Sequence, residues 1–131
     1  MNILTNEIVR AAKVSNIYLE QLSKSEKSIF WQKIKSTHKV CLDGQIWCQL
    51  NFSFNESNPE GWRRAGDYFD SWPVLLFCDH HLDTPVFKVQ YKQNLVDLLG
   101  ESFGFVFYLT DLDIKQLVVF DDHDCLRVLL P

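Results

Sequence analysis

One segment of the chain is apolar on both of its faces, and this restricts the folds open to everything around it. Residues 103–110 alternate as an extended strand would, with every second side chain on the same side. One side would carry Phe103, Phe105, Phe107 and Leu109, and the other Gly104, Val106 and Tyr108. A strand with two apolar faces has to be covered on both sides, so the sequence predicts a central strand of a sheet at 103–110.

A short helix is predicted directly before this strand. Asn94 is a residue type that caps helix N-termini, Asp97 stands three positions later, and Gly100 is of the type that ends helices in left-handed backbone. After the strand, the apolar run 116–120 predicts a further strand, and a last strand is expected beyond the polar turn that follows it.

The N-terminal part of the chain has the spacing of two helices. Thr5 is a plausible cap, and apolar positions then recur every three or four residues up to Leu22, which predicts an amphipathic helix over about residues 6–23. Ser23 and Glu26 have the spacing of a capping box, in which each side chain bonds the other residue's backbone N–H. A second helix is therefore expected over about 25–36.

The middle of the chain is predicted to begin with a hairpin. Asp43-Gly44 stands between the strand-like runs 38–42 and 45–54, and such a pair tolerates the positive φ angles of a tight turn. The turn residues of 55–61 predict a surface loop. Residues 61–69 have a partly helical spacing that two glycines weaken, so their structure is left open.

These elements predict an α+β fold in a single domain that spans residues 1–131. Two further short strands are expected at 74–78 and 86–89. Because helices come first and hairpin-connected strands follow, without strand–helix alternation, we expect two N-terminal helices packed on a mostly antiparallel sheet of about five or six strands. A chain of 131 residues with 47% hydrophobic residues is large enough for one such core.

Composition excludes several classes of function. No apolar stretch approaches the roughly 20 residues of a membrane span, and no leader-like segment opens the chain, so we expect a cytosolic protein without a membrane partner. The four cysteines form no C-x-x-C pair, which favours reduced thiols. Nucleic-acid binding is disfavoured because no Gly-rich phosphate loop is present and Lys and Arg are not clustered with aromatic residues.

Charge is distributed unevenly along the chain. Lys and Arg outnumber Asp and Glu by seven to three in residues 1–42 and are outnumbered fourteen to six in residues 43–131, for a net charge of −4. An acidic body repels nucleic acid and steers a basic partner towards it.

Two clusters of ionisable residues, at 78–83 and 121–125, follow apolar runs. The first holds Cys78 and a His80-His81 pair, and the second holds His123 and Cys125. His, Cys and Asp are metal ligands, so a small metal-dependent enzyme is one interpretation of the two clusters. Acidic turns with solvated histidines explain the same residues without an ion. We expect no bound metal and no cofactor.

The segment from Leu99 to Cys125 consists of Leu-Gly-Glu-Ser-Phe-Gly-Phe-Val-Phe-Tyr-Leu-Thr-Asp, the apolar strand 116–120 and the turn at 121–124. With these features it resembles the C-terminal half of small bacterial proteins of the SUKH superfamily. Members of the superfamily often carry an Asn-His-His-Asp turn before the last strand, whereas this chain has Asp-Asp-His-Asp and lacks one His. The resemblance implies an immunity protein that binds and blocks a polymorphic or contact-dependent toxin.

The favoured function is therefore a cytosolic immunity protein that inhibits a cognate basic toxin, such as a nuclease, through an acidic surface and without catalysis. The aromatic candidates for contact with the toxin are Trp62 and Trp72, which flank the least regular part of the chain and are of a type found both at interfaces and in cores. The metal-dependent enzyme and a regulatory interaction module remain alternatives. The charged candidates are Asp79, Asp83, Asp121, Asp122 and Asp124.

Overall fold

A seven-stranded antiparallel sheet carries helices on both of its faces. The computed structural model describes residues 3–102 and 104–131. Within these residues the α-helices are α1 (Ile3–Val14), α2 (Lys24–His38) and α3 (Lys92–Glu101), and single 3-10 helices lie at Trp47–Gln49, Gly61–Tyr68 and His80–Leu82. The strands are β1 (Glu20–Gln21), β2 (Phe54–Ser57), β3 (Val74–Phe77), β4 (Phe87–Val89), β5 (Phe107–Thr110), β6 (Leu117–Phe120) and β7 (Cys125–Leu129).

The strand order is β1-β4-β3-β5-β6-β7-β2, and every neighbouring pair is antiparallel. The predicted α+β class with an antiparallel sheet is confirmed, but the predicted number of five or six strands was too low. Strand β5 is the fourth of the seven, which confirms the central position expected for this segment. The strand begins at Phe107 rather than at Phe103, which lies outside the described residues.

The two faces of β5 pack into two different hydrophobic clusters. Phe107 and Leu109 lie in the cluster that also holds side chains of α1, α3 and the 3-10 helix Gly61–Tyr68. Tyr108 lies in the cluster that α2 covers. The prediction of a strand buried on both faces is confirmed, because all four β5 residues are buried. Phe105 was predicted to be buried and is only half-buried, since it precedes the strand.

The first helix is shorter than predicted. It ends at Val14 rather than near residue 23, because Asn16 adopts left-handed backbone with φ of 56°. The Ile17 N–H then donates to the Ala12 carbonyl at 2.8 Å, a bond typical of a helix C-terminus. The chain continues in extended form, and its residues Glu20–Gln21 pair with β4 as the edge strand β1.

The second helix begins as predicted, with a capping box. The Ser23 hydroxyl accepts from the Glu26 N–H at 3.2 Å, and the Ser23 N–H donates to the Glu26 carboxylate at 2.9 Å. This backbone bond from Ser23 lowers the pKa of the Glu26 carboxyl group. The helix runs on to His38, and Lys39 in left-handed backbone ends it.

The hairpin predicted around Asp43-Gly44 is wrong. Residues 45–53 do not form a strand. Strand β2 begins only at Phe54, the last residue of the predicted strand, and it continues to Ser57 inside the predicted loop, paired with β7. The Gln49 side chain instead donates to the Cys41 carbonyl at 2.9 Å and accepts from the Cys41 N–H at 2.8 Å. A side-chain amide thus provides the two hydrogen bonds that a neighbouring strand would have given.

The third helix was predicted with the wrong ends. It begins at Lys92 with Tyr91 as its N-cap, so Asn94 lies inside the first turn, and it continues through Gly100 to Glu101. Gly100 is required for packing rather than for termination. A Cβ atom at this position would lie 3.1 Å from Cη2 of Trp62, closer than an ordinary van der Waals contact.

We expect Phe107→Ala to lower the free energy of unfolding by about 3–5 kcal/mol, the range for a core phenylalanine. Phe107 is 3% exposed and its ring lies 5.9 Å from that of Phe120, so truncation leaves a cavity between them. Urea unfolding measures the loss, and Phe54→Ala, at a ring that is 39% exposed, is the control. A loss for Phe107→Ala no larger than for the control contradicts the prediction.

Candidate partner-binding surface

The two acidic segments leave the sheet at the same end. Strands β3 and β6 are both antiparallel to the central β5, so they run in the same direction. The segments that follow them, 78–83 and 121–124, therefore lie at one end of the sheet, on either side of β5. We call this end, with its aspartates Asp79, Asp83, Asp121, Asp122 and Asp124, the acidic end.

Asp79 lies at this end but is not accessible to a partner. It is 4% exposed, and its Oδ1 accepts hydrogen bonds from the Tyr108 hydroxyl at 2.5 Å and the Ile46 N–H at 3.0 Å. The prediction that Asp79 contacts a partner is wrong, because a buried carboxylate has to be satisfied inside the protein. Its function is to hold the segment that contains Ile46 against the central strand.

Tyr108 is the residue of this network that sequence reasoning missed. Its ring is fully buried, its hydroxyl donates to Asp79, and the same oxygen accepts from the backbone N–H of Trp47 at 3.1 Å. Burial raises the pKa of Tyr108, and the bond to Asp79 raises it further, so the hydroxyl keeps the proton that it donates. The one available signal was a tyrosine on a two-faced apolar strand, since a buried tyrosine usually finds a polar partner.

Asp121 is also buried, at 2% exposure, and organises the turn between β6 and β7. Its Oδ1 accepts from the backbone N–H groups of His123 at 2.9 Å and Cys125 at 3.2 Å. Its Oδ2 accepts from Nε of Arg127 at 2.7 Å, and this bond raises the pKa of Arg127. The prediction that Asp121 contacts a partner is therefore also wrong.

Arg127 connects the two buried carboxylates. Its guanidinium lies 5.0 Å from the centre of the Trp47 ring, a cation–π distance, while its Nε is bonded to Asp121. The backbone N–H of Trp47 donates a hydrogen bond to the Tyr108 hydroxyl, which in turn donates to Asp79. One continuous set of contacts thus fixes both acidic segments and the loop around Trp47.

Asp83, Asp122 and Asp124 are exposed at the acidic end, so their contact with a partner stays a prediction. The Asp83 side chain is 98% exposed and lies 3.8 Å from the Lys27 ammonium group. Asp122 lies 3.6 Å from the His123 ring, which is also exposed. Asp124 has left-handed backbone, and its carbonyl accepts from the Asn58 N–H at 2.9 Å.

Of the two candidate tryptophans, only Trp62 lies beside these turns. It is half-buried and lines a groove of about 370 Å³ that also contacts Phe105 and the β6 end at Phe120. The Arg63 guanidinium lies 4.6 Å from the centre of the Trp62 ring. Trp72 precedes β3, at the opposite end of the sheet, and packs against the first hydrophobic cluster, so it does not share a surface with the exposed aspartates.

The residues of the metal-enzyme alternative are not brought into one donor set. Among residues 3–102 and 104–131, no three His, Cys, Asp or Glu side chains are placed to hold a metal ion. Cys78 is buried, and burial raises the pKa of its thiol to about 12. His80 is exposed and packs its ring 4.9 Å from that of Trp31, while His81 is exposed in the same short helix.

Comparison with known proteins gives no relative whose site can be transferred to this surface. The chain matches no family model, no curated protein and no solved structure. In the described part of the chain, none of the helices has the length and hydropathy needed to cross a bilayer. The function of the acidic end is therefore inferred from its own contacts and charges.

We expect Tyr108→Phe to cost about 1–3 kcal/mol of unfolding free energy, because it removes a hydrogen bond from the buried Asp79 carboxylate and leaves the Trp47 N–H without its acceptor. Denaturant unfolding measures this cost. Tyr91→Phe removes the same hydroxyl from a residue that is 61% exposed and should change stability by less than about 0.5 kcal/mol. Equal effects of the two variants would show that the network adds nothing.

Cys78 should make the protein less stable at high pH. Its thiol pKa is 9.0 ordinarily and about 12 when folded, so above pH 9 the unfolded chain loses this proton more readily than the folded one. The contribution of the protonated thiol to the free energy of unfolding is therefore fully present below pH 9. It is lost as pH rises towards 12, by an amount approaching ~1.4 kcal/mol per pH unit. Urea unfolding between pH 8 and 11 should give a steeper decline for the parent than for Cys78→Ala. Parallel declines would contradict the assignment.

Proposed function

We propose that this protein is an immunity protein that binds a cognate toxin domain at the acidic end and inhibits it without catalysing a reaction. The resemblance of the segment from Leu99 to Cys125 to the SUKH superfamily supports the proposal from sequence. The cytosol is the compartment in which such an inhibitor protects its own cell. The toxin presents a basic surface to the acidic end, such as the surface with which a nuclease holds a phosphate backbone.

The observation that supports this function most is the combination of charge and aromatic surface at one end of the sheet. Exposed Asp122 and Asp124 lie on the turn after β6, and Asp83 follows β3 at the same end. The groove lined by Trp62 and Phe105 opens there as well. Protein interfaces combine charged and aromatic residues, and a few buried anchors supply most of the affinity.

The two kinds of residue contribute in different ways. The carboxylates raise the rate at which a basic partner arrives, since they act at a distance through solvent. Trp62 and Phe105 act after contact, because apolar surface is removed from water only when the groove is filled. Arg63, which is paired with Glu60 at 3.1 Å, places a charged group at the margin of the groove and favours a partner segment with both polar and apolar atoms.

The surface is held in place before a partner arrives. The carboxylate of Asp121 bonds two backbone N–H groups within the turn that carries Asp122 and Asp124. The backbone N–H of Asn58, directly after β2, donates to the Asp124 carbonyl and fixes the same turn. A turn that is already ordered loses little conformational entropy on binding, which increases affinity.

Asp122→Asn with Asp124→Asn tests the electrostatic part of the proposal. We expect this double variant to associate with the toxin about tenfold more slowly at low salt, and to show a flatter salt dependence, because two steering charges are lost. Asn tolerates the left-handed backbone of position 124, so the turn is retained. Association kinetics at two salt concentrations, with the product of the neighbouring gene as the toxin, measure the effect.

The matched control is Asp70→Asn with Asp113→Asn, which changes the net charge equally at exposed positions on the opposite end of the sheet. Equal slowing by the two double variants would show that only net charge matters and that the acidic end is not the interface.

Trp62→Ala tests the anchor. We expect it to increase the dissociation rate at least tenfold and to remove protection of cells that express the toxin, since a central tryptophan is typically worth 2 kcal/mol or more, about thirtyfold in affinity. Urea unfolding of the free variant separates a loss of affinity from a loss of fold, because Trp62 also covers Gly100. A folded Trp62→Ala protein that protects cells as the parent does would remove the groove from the interface.

A further inference from the structure

A second concave surface lies on the opposite face of the sheet, beside the first half of α2. It is a cleft of about 550 Å³ between α2, the short helix at His80–Leu82 and the loop at Leu42. A volume of this size is typical of small-molecule sites. It shares no lining residue with the groove of Trp62, and the proposed function does not use it.

The polar residues of the cleft are cationic or neutral in a chain whose net charge is −4. Lys24 and Lys27 come from the first turns of α2, and His80 comes from the segment after β3. The N-terminal end of α2 adds the partial positive charge of the helix dipole. Glu26, the acidic residue in this part of the helix, directs its carboxylate to the Ser23 N–H in the capping box.

One buried group in the wall of the cleft has no hydrogen-bond partner. Trp31 is 5% exposed and lines the cleft, and its indole Nε1–H is buried without an acceptor anywhere in residues 3–102 and 104–131. A buried N–H without an acceptor is unfavourable. The Nε1 atom is enclosed, so a ligand acceptor reaches it only when the indole turns towards the cleft. This group and the two lysines all favour the same kind of ligand atom.

We propose that the cleft binds a small organic anion, with a carboxylate or phosphate head between Lys24 and Lys27 and an apolar body against Leu22 and Leu42. Ammonium groups bind either head as point charges. Asp83, the acidic neighbour of Lys27 at 3.8 Å, is 98% exposed and is displaced by the incoming anion at little cost. The indole N–H of Trp31 donates to an acceptor atom of the bound molecule once the ring has turned towards the cleft.

The indole N–H signals of ¹⁵N-labelled protein report binding directly. The chain has four tryptophans, and Trp31→Phe identifies the Trp31 signal by its loss. The probes are benzoate and phenyl phosphate, which share an aromatic body, and benzyl alcohol, which lacks the charge. We expect both anions to shift the Trp31 signal in a saturable way at millimolar concentration, with little change in Trp62 and Trp72. The tighter of the two anions identifies the preferred head group.

Two double variants that change the net charge equally distinguish binding in the cleft from a general effect of positive charge on the helix. Lys24→Gln with Lys27→Gln should weaken anion binding about tenfold or more, the loss expected for charge-assisted contacts. Lys33→Gln with Lys35→Gln lies on the same helix outside the cleft and should weaken it less than about twofold.

Three results would overturn the proposal. The first is the absence of a saturable Trp31 shift with either anion. The second is an equal shift with benzyl alcohol, which would show that charge is not recognised. The third is an equal weakening by the two lysine variants, which would place the anion on the helix surface rather than in the cleft. None of these results bears on toxin binding at the acidic end.

Discussion

The hydrogen bond from Tyr108 to Asp79 is the interaction on which the rest of the sheet's α2 face depends. It joins the central strand to the segment after β3, and through Trp47 and Ile46 it holds a loop that has no strand partner. A buried carboxylate is costly unless hydrogen bonds compensate for the lost water, so the loop and the sheet stabilise each other. Without this bond, Asp79 would keep only its hydrogen bond from the Ile46 N–H, and the central strand would lose its direct connection to the segment after β3.

Identical side chains in one acidic region therefore have opposite functions. Asp79 and Asp121 are enclosed and organise backbone, whereas Asp122 and Asp124 remain in water. The sequence showed that both acidic segments follow apolar runs, and the common direction of β3 and β6 in the sheet places them at one end. The sequence did not distinguish structural from exposed carboxylates, since the distinction depends on donors such as Tyr108, 29 positions away from Asp79.

The features predicted correctly are those determined within a few residues. The capping box of Ser23 and Glu26 is a local pattern, and the two-faced strand is visible in its own alternation. The features that were missed depend on distant partners. Strand β2 exists because β7 is available to pair with it, and the hairpin at Asp43-Gly44 fails because the Gln49 amide occupies the backbone of Cys41. Gly100 looked like a helix end, but it is the contact point of Trp62.

The pair of Lys27 and Asp83 connects the two proposed binding sites, because Asp83 belongs to the acidic end and Lys27 lines the cleft. An anion that takes Lys27 leaves the Asp83 carboxylate free, so a basic partner meets one more unpaired charge. By linkage, the partner strengthens anion binding by the same factor. An exposed pair is worth at most about 1 kcal/mol, which limits the coupling to roughly fivefold. Measuring toxin affinity with and without benzoate, in the parent and in Asp83→Asn, tests this coupling, which should vanish in the variant.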